Sequence, residues 1–183
     1  MKNKLTLLLL VIVAFSCRGK TNFHDYLAYL NDPRHKITQQ IKVGNIQVTL
    51  KLIPEFLQNI SFQSYSDIPK GNNSYYLFDI RFDKVNGEKP SKEKLLYMDF
   101  DLQKDFAMQI GRYTLFPAIC QKIENGIPGS YQYLIAFPKG GRSEKDFDFG
   151  LLYEDKVFGV GTIAFLYKKD DIKKIPVIKS SVN

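Results

Sequence analysis

The sequence predicts an all-β fold, an antiparallel β-sandwich of about eight strands with a short helix before it. Two features of the 183-residue chain predict this class. Short apolar stretches alternate residue by residue with polar positions, which is the period of a strand with one face buried. Turn signals such as Gly-Asn and Asn-Gly separate these stretches at close spacing. Because a small β-barrel produces the same pattern, it is the alternative architecture.

The chain begins with a segment predicted to be a signal peptide, residues 1–16. An apolar run over residues 5–15 is interrupted only by Thr6, and Lys2 and Lys4 precede it. Spanning the ~30 Å hydrocarbon core of a membrane takes about 20 apolar residues, so this run is too short for a transmembrane helix. Its length, its basic start and the small residues that follow are typical of a secretory signal.

A cysteine directly follows the predicted signal peptide. The four residues Ala14-Phe15-Ser16-Cys17 resemble the lipobox of bacterial lipoproteins, although Phe15 stands where a small residue is usual. The resemblance implies cleavage before Cys17, a diacylglycerol on its thiol and acylation of the new amino group. Since each buried methylene contributes ~0.8 kcal/mol, two or three acyl chains form a stable anchor.

Residues 17–22 are a short lipid-anchored tether in this interpretation, and residues 23–183 are a single domain that is long enough to bury its own core. The first element of the domain is a predicted amphipathic helix, capped by Asn22 and ended by Asp32-Pro33. The apolar face of this helix has the spacing i, i+3, i+4, i+7 and consists of Phe23, Tyr26, Leu27 and Leu30.

The predicted strands are alternating runs bounded by turn residues. Two runs separated by Gly44-Asn45 predict a β-hairpin. Pro117, which has no N–H to donate, predicts that its strand lies at an edge or carries a bulge. The run from Leu96 alternates like a strand, although Ser91 followed by Lys-Glu-Lys is also a helix start. The predicted strands are residues 37–43, 46–52, 76–82, 96–102, 106–110, 113–123 and 130–138, with two more apolar runs within 150–169.

Parts of the chain resemble a group of small Gram-negative lipoproteins of unassigned function. The resemblance covers the early hairpin and the stretches YMDFDLQKDFAMQIG and FGVGTIAFLYKKDDIKKIP, and it implies no chemistry beyond the anchor at Cys17. Some Gram-negative lipoproteins exported to the cell surface resemble one another in having acidic residues after the lipidated cysteine. This chain has RGKTN there, so the predicted location is the periplasmic face of the outer membrane.

The sequence offers little catalytic or metal-binding machinery, so no catalytic residue, metal ligand or cofactor is predicted. His24 and His35 stand eleven positions apart without a cysteine pair or an HExxH motif, and no Ser lies in a nucleophile elbow. If Cys17 carries lipid, Cys120 has no disulfide partner within the chain. Its apolar neighbours then predict a buried, inert thiol.

These observations predict a non-enzymatic binding or assembly role in the cell envelope. The predicted partner is an envelope protein or polymer that contacts the charged 138–148 loop at Lys139, Arg142 and Lys145. The formal net charge of +7 does not make nucleic acid an expected partner of an exported protein. Membrane contact is expected through the lipid, and the oligomeric state is left open.

Two other functions are kept as alternatives. The many Phe and Tyr side chains suit a carrier of a lipophilic ligand, which needs an open apolar cavity of ~300 Å³ or more. Asp99 and Asp101 share one face if their segment is a strand, and two carboxylates can perform acid–base chemistry on a glycan. A filled core, an open cavity and a cleft with converging carboxylates distinguish the three functions.

Overall fold

The computed structural model describes residues 22–61, 75–84 and 90–178. The predicted signal peptide, the lipobox with Cys17 and most of the tether lie outside the described residues, so they stay predictions.

The described strands pair into two antiparallel sheets that pack face to face, which confirms the predicted sandwich. The strands are β1 (Thr38–Val43), β2 (Ile46–Ile53), β3 (Tyr75–Lys84), β4 (Phe106–Ile110), β5 (Tyr113–Leu115), β6 (Ile119–Ile123), β7 (Ser130–Pro138), β8 (Phe149–Glu154) and β9 (Thr162–Tyr167). Their order is β1-β2-β3-β7-β6 in one sheet and β5-β4-β8-β9 in the other. Both sheets keep open edges among the described residues, so the barrel alternative is wrong for this part of the chain.

Four α-helices lie outside the sheets in the described residues. They are α1 (Phe23–Asn31), α2 (Glu55–Ser61), α3 (Lys92–Phe100) and α4 (Lys169–Lys173). The prediction for α1 is confirmed: Asn22 Oδ1 accepts a hydrogen bond from the Asp25 backbone N–H at 2.8 Å, and Tyr26 and Leu30 are buried. Helices α2 and α4, of seven and five residues, are too short to show a helical period in the sequence.

The hairpin of β1 and β2 has the predicted register and turn. Val43 pairs with Ile46. Gly44 in the turn has φ +56°, a backbone conformation that residues with a Cβ atom rarely adopt. Along β2 every second side chain is buried, so one face of the strand lies on the core. The edge strand β1 is less buried than β2, and Ile41 is only half-buried.

Aromatic side chains from both sheets fill the space between them. Phe82 of β3 lies 5.0 Å from Tyr153 of β8 between ring centroids, and Phe106 of β4 stacks on the same tyrosine at 4.9 Å. At the other end of the sandwich, Phe149 stacks on Tyr167 at 5.1 Å. Such pairs contribute about 0.5–1.5 kcal/mol beyond their burial. The protein's own rings therefore occupy the interior between the two sheets.

The strand prediction for residues 96–102 is wrong, and the helix start at Ser91 is correct. Ser91 Oγ accepts from the Lys94 backbone N–H at 3.4 Å as the N-cap of α3. Met98 and Leu102 are buried, whereas Phe100 is 79% exposed. The apparent alternation arose because residues of both faces of the helix happen to be apolar.

The single strand predicted for residues 113–123 is two strands in different sheets. β5 pairs with β4, whereas β6 pairs with β7, so the chain crosses from one sheet to the other around Pro117. Both strands are edges, as the proline predicted. An edge strand pairs with a neighbour on one side only, so interrupting it disrupts fewer backbone hydrogen bonds than interrupting an interior strand.

The connection between β8 and β9 is organised by one carboxylate. Asp155 accepts hydrogen bonds from the backbone N–H groups of Val157 (2.9 Å), Phe158 (2.9 and 3.0 Å) and Val160 (2.7 Å), and from the Tyr153 hydroxyl (2.7 Å). Burial pushes the pKa of Asp155 upward, but these hydrogen bonds outweigh burial and lower the pKa below its ordinary value. The ionised carboxylate therefore stabilises the folded state.

Asp155→Asn is expected to lower the free energy of unfolding at neutral pH by about 1–3 kcal/mol, because one oxygen acceptor becomes a donor that faces backbone N–H groups. The folded-state pKa is lowered, so the contribution of Asp155 is present above the unfolded pKa of about 3.9 and is lost as pH falls through the folded value. Urea denaturation at neutral and acidic pH should show the difference from wild type shrinking in acid. Asp146→Asn, at an exposed position, is the control, and equal effects at both sites would contradict the prediction.

Candidate binding site

The 138–148 loop, predicted as a charged contact surface, begins with a buried lysine. Lys139 is 2% exposed, and its Nζ lies 2.8 Å from Glu55 Oε1 and 2.8 Å from Glu144 Oε2. The same ammonium lies over the Tyr76 ring, 5.3 Å from its centroid, where the ring quadrupole attracts a cation. The expectation of an exposed side chain is therefore wrong for Lys139, because its charge is neutralised inside the protein.

Glu144 is also buried, and several polar atoms around it lack hydrogen bonds. Its Oε2 approaches Lys139 outside hydrogen-bond geometry, although the charges are 2.8 Å apart. The hydroxyls of Tyr26 and Tyr76 are buried without a hydrogen-bond partner in the described structure. Burial first, and then the Glu144 carboxylate, raise the pKa of both phenols to about 12. These tyrosines therefore stay neutral at physiological pH.

The exposed side of the loop forms a depression of about 230 Å³ that we call the arginine pocket. It is lined by Ile110, Gly111, Arg112, Tyr113, Arg142 and Phe147. The β4–β5 turn supplies Arg112 and Tyr113, and the 138–148 loop supplies Arg142 and Phe147. Tyr113 and Phe147 are 43% and 45% exposed, so aromatic surface adjoins the two cations.

Both guanidinium groups are positioned by the ring of Tyr113. The Cζ atom of Arg142 lies 4.2 Å from the ring centroid, and that of Arg112 lies 5.3 Å from it. Arg142 Nη1 also donates to the Lys139 carbonyl oxygen at 3.3 Å, and Arg112 Nη2 donates to the Tyr113 hydroxyl at 3.3 Å. Hydrogen bonds from Arg112 and then Arg142 lower the pKa of Tyr113, since they favour the phenolate.

The two arginines of the pocket differ from the other arginines of the described residues in having no ion-pair partner there. Arg34 lies 2.5 Å from Asp32, and Arg81 lies 2.8 Å from Asp83. Among the described residues, no carboxylate oxygen lies within 4.0 Å of the guanidinium of Arg112 or Arg142. The pocket therefore concentrates two uncompensated positive charges at one exposed aromatic surface.

Of the predicted contact residues, only Arg142 belongs to this pocket. Lys139 lies beneath it in the ion-pair cluster, Lys145 is exposed elsewhere on the loop, and Cys17 lies outside the described residues. Sequence reasoning missed Arg112, which follows Gly111 in the short turn between β4 and β5. No pattern along the chain connects a turn residue at 112 with a loop residue at 142.

The acidic pair considered for hydrolysis does not share the strand face that this alternative requires. Asp99 lies on α3 and Asp101 ends it, so a separation of two residues places them about 200° apart around the helix instead of on one strand face. Asp99 pairs with Lys122 at 3.0 Å, and Asp101 pairs with Lys104 at 2.5 Å. Each carboxylate is compensated by its own lysine, which does not favour the glycan-hydrolase alternative.

Two surface depressions of the described residues bear on the carrier alternative. Besides the arginine pocket, a groove of about 260 Å³ lies between α1, α2 and the chain after α4. Its walls mix Phe56, Ile175 and Val177 with the charged groups of Glu55 and Glu144. This volume is below the ~300 Å³ typical of a ligand cavity.

Cys120 is half-buried on β6, not fully buried as predicted. Burial, and then the nearby Asp105 carboxylate, raise the pKa of its thiol to about 12. A thiol that is not ionised is a poor nucleophile, so its inertness stays a reasonable prediction.

No helix within the described residues is long and apolar enough to span a membrane. The same part of the chain contains no cluster of three or more His, Cys, Asp or Glu side chains that would hold a metal ion.

Comparison with known proteins yields two weak structural similarities. No protein-family model and no curated protein matches the chain. A DUF4426 family protein from Pseudomonas aeruginosa has a TM-score of 0.41 and 9% identity over 72% of this chain and 92% of that chain. A protein of unknown function from Burkholderia pseudomallei has a TM-score of 0.37 and 10% identity over 84% of this chain and 95% of that chain. Both TM-scores are below 0.5, so neither similarity indicates a function for this chain.

Proposed function

We propose that this protein is a lipid-anchored envelope protein with a non-enzymatic binding role, and that it binds an anionic partner at the arginine pocket. The observation that carries the proposal is the pairing of Arg112 and Arg142 at one exposed depression without a carboxylate partner among the described residues. Arginine forks recognise carboxylate and phosphate groups through two parallel hydrogen bonds. An anion from outside the chain supplies the missing charge.

The geometry of the pocket favours binding for two physical reasons. Stacking on Tyr113 and the hydrogen bond to the Lys139 carbonyl hold Arg142 in place, so less side-chain entropy is lost on binding. Exposed Tyr113 and Phe147 add apolar contact area next to the charges. Tyrosine and arginine are also the residue types that most often dominate binding energy at interfaces.

The sequence supports the envelope part of the proposal. The lipobox-like Ala14-Phe15-Ser16-Cys17 would tether the domain to a membrane through only a few polar residues. Confinement near a bilayer raises the effective concentration of partners there, so even a weak contact suffices for capture. The proposed location is the periplasmic face of the outer membrane, and the proposed partner is an acidic envelope protein or polymer.

The test uses the full-length chain expressed in a Gram-negative host with labelled fatty acid. The wild-type chain should carry the label, fractionate with the outer membrane and capture envelope components after detergent solubilisation. The double variant Arg112→Glu/Arg142→Glu should carry the label but lose most of the capture, because charge reversal repels an anionic partner. Raised salt should weaken wild-type capture, since exposed charges are screened.

Two further variants complete the experiment. Cys17→Ser should take up no label and leave the membrane fraction. Lys145→Glu reverses a charge on the same loop outside the pocket, and it should capture like wild type. Wild-type capture by the double arginine variant would overturn the binding site, and an unlabelled wild-type chain would overturn the anchor.

A further inference from the structure

Building on the proposed function, we infer that the arginine pocket is a phosphate-binding site that takes a phosphate monoester group of the envelope partner. The inference concerns the chemical class of the anion, which the binding role alone leaves open between carboxylate and phosphate.

The number of guanidinium groups at the pocket favours phosphate. A carboxylate has two oxygens, and a single arginine fork satisfies both of them. Arg112 and Arg142 both lie against the ring of Tyr113 and line the same depression. A ligand group bound there is therefore expected to contact both guanidinium groups. A phosphate monoester offers three charged oxygens and a charge of about −1.5 to −2 at neutral pH. It matches two forks and two positive charges at once.

The carboxylates nearest to Arg142 in the sequence form no ion pair with either pocket arginine. Glu144 is buried and paired with Lys139. Asp146 and Asp148 belong to the same loop, but neither lies within 4.0 Å of a pocket guanidinium.

The aromatic rim indicates where the organic part of the ligand would lie. Phe147 is 45% exposed and lines the depression with Ile110, next to the two cations. A group attached to the phosphate through its ester oxygen, such as a sugar ring, contacts this rim while the anion contacts the arginines. Inorganic phosphate lacks that second contact.

The experiment measures binding to the full-length chain in detergent by isothermal titration calorimetry at constant ionic strength. The probes are inorganic phosphate, a sugar phosphate such as glucose 1-phosphate, and acetate. Co-sedimentation compares phosphatidylcholine vesicles with and without phosphatidic acid, using the Cys17→Ser chain without detergent, because an acylated chain would sediment with either vesicle. Both phosphates are expected to bind at least about tenfold more tightly than acetate. Binding of the sugar phosphate is expected to weaken below its second pKa of about 6, where the dianion is lost.

The variants assign the binding to the pocket. Arg112→Gln and Arg142→Gln are each expected to weaken phosphate binding about tenfold or more, because each removes hydrogen bonds to a charged group. Lys145→Gln should leave it unchanged, and Phe147→Ala should weaken the sugar phosphate but not inorganic phosphate. Thermal unfolding of each variant checks that the fold is intact.

The outcomes distinguish a saccharide from a lipid as the source of the phosphate. They also distinguish failure of the phosphate site from failure of the proposed binding of an anionic partner. Tighter binding of the sugar phosphate supports a phosphorylated saccharide, whereas retention only on phosphatidic acid vesicles supports a lipid headgroup, and both support a phosphate site. Equal affinity for acetate and phosphate would overturn the inference but leave the anionic partner of the proposed function in place. Equal weakening by Lys145→Gln and Arg142→Gln would also overturn it, since binding would then reflect only net charge.

Discussion

Replacing Lys139 with alanine is expected to lower the free energy of unfolding by about 3–5 kcal/mol, because it leaves a buried charge without its partner. The Lys139 ammonium lies 2.8 Å from a carboxylate oxygen of Glu55 and 2.8 Å from one of Glu144. Glu55 is partly exposed and can be solvated, but the Glu144 side chain is only 4% exposed. Urea denaturation at neutral pH, followed by circular dichroism, measures the loss.

A matched lysine and a double-mutant cycle make this prediction specific. Lys145→Ala, at an exposed position of the same loop, should change the free energy of unfolding by no more than about 0.5 kcal/mol. In a Glu144→Ala background, Lys139→Ala should cost much less than in the wild type, because the uncompensated charge is gone. Equal losses for Lys139→Ala and Lys145→Ala would show that the ion-pair cluster does not stabilise the fold.

The burial of Lys139 also changes how the loop must be tested for binding. Reversing the charges of Lys139, Arg142 and Lys145 together would damage the fold and the surface at once. Variants of Arg112 and Arg142 change the pocket without removing the buried ammonium.

Leu50→Asp is expected to unfold the protein or to lower the free energy of unfolding by about 4 kcal/mol or more. Leu50 lies in the second strand of its sheet and is completely buried. The change deletes a core side chain, which typically costs about 2–5 kcal/mol, and it adds an unpaired charge to an apolar environment. Since whole domains are stable by about 5–15 kcal/mol, this loss is close to the total.

Two positions on the neighbouring strand serve as graded controls. Gln40→Asp, on the outer face of β1, should stay within about 0.5 kcal/mol of wild type. Ile41→Asp should fall between the two, because Ile41 packs on the core from an edge strand and remains half-buried. Thermal and urea unfolding of the three variants measures the order. A loss at Gln40 as large as that at Leu50 would mean that the faces of the hairpin are wrongly assigned.

The hairpin shows what a local pattern is able to predict. Strict alternation around Gly44-Asn45 predicted two strands, their turn and their buried face, because the two-residue period of a strand is a property of its own backbone. The same holds for α1, where the cap at Asn22 and the helical spacing of Tyr26 and Leu30 are local. The burial of the β1 side chains was overestimated, since the alternation along a strand does not show whether that strand lies at the edge or in the interior of its sheet.

The local sequence pattern was insufficient where the same residues are compatible with two different secondary structures. Leu96, Met98 and Phe100 alternate like a strand, and the cap at Ser91 decided for a helix. The run around Pro117 reads as one strand, but its halves belong to different sheets. In both cases the choice depends on packing against distant parts of the chain.

The sequence by itself determined the all-β class, the hairpin, the N-terminal helix and Arg142 as a candidate contact, since these follow from short-range periodicity, turn residues and charge. Only the tertiary structure decided that Lys139 is buried between Glu55 and Glu144, and that Arg112 and Arg142 both lie against the ring of Tyr113. The physical reason is that the ion-pair and hydrogen-bond partners of a side chain are determined by distance in space, and not by separation along the chain. Residues 55 and 139 become neighbours only when β2, β3 and β7 pair in one sheet, and the turn at residue 112 reaches the 138–148 loop only when β4 pairs with β8.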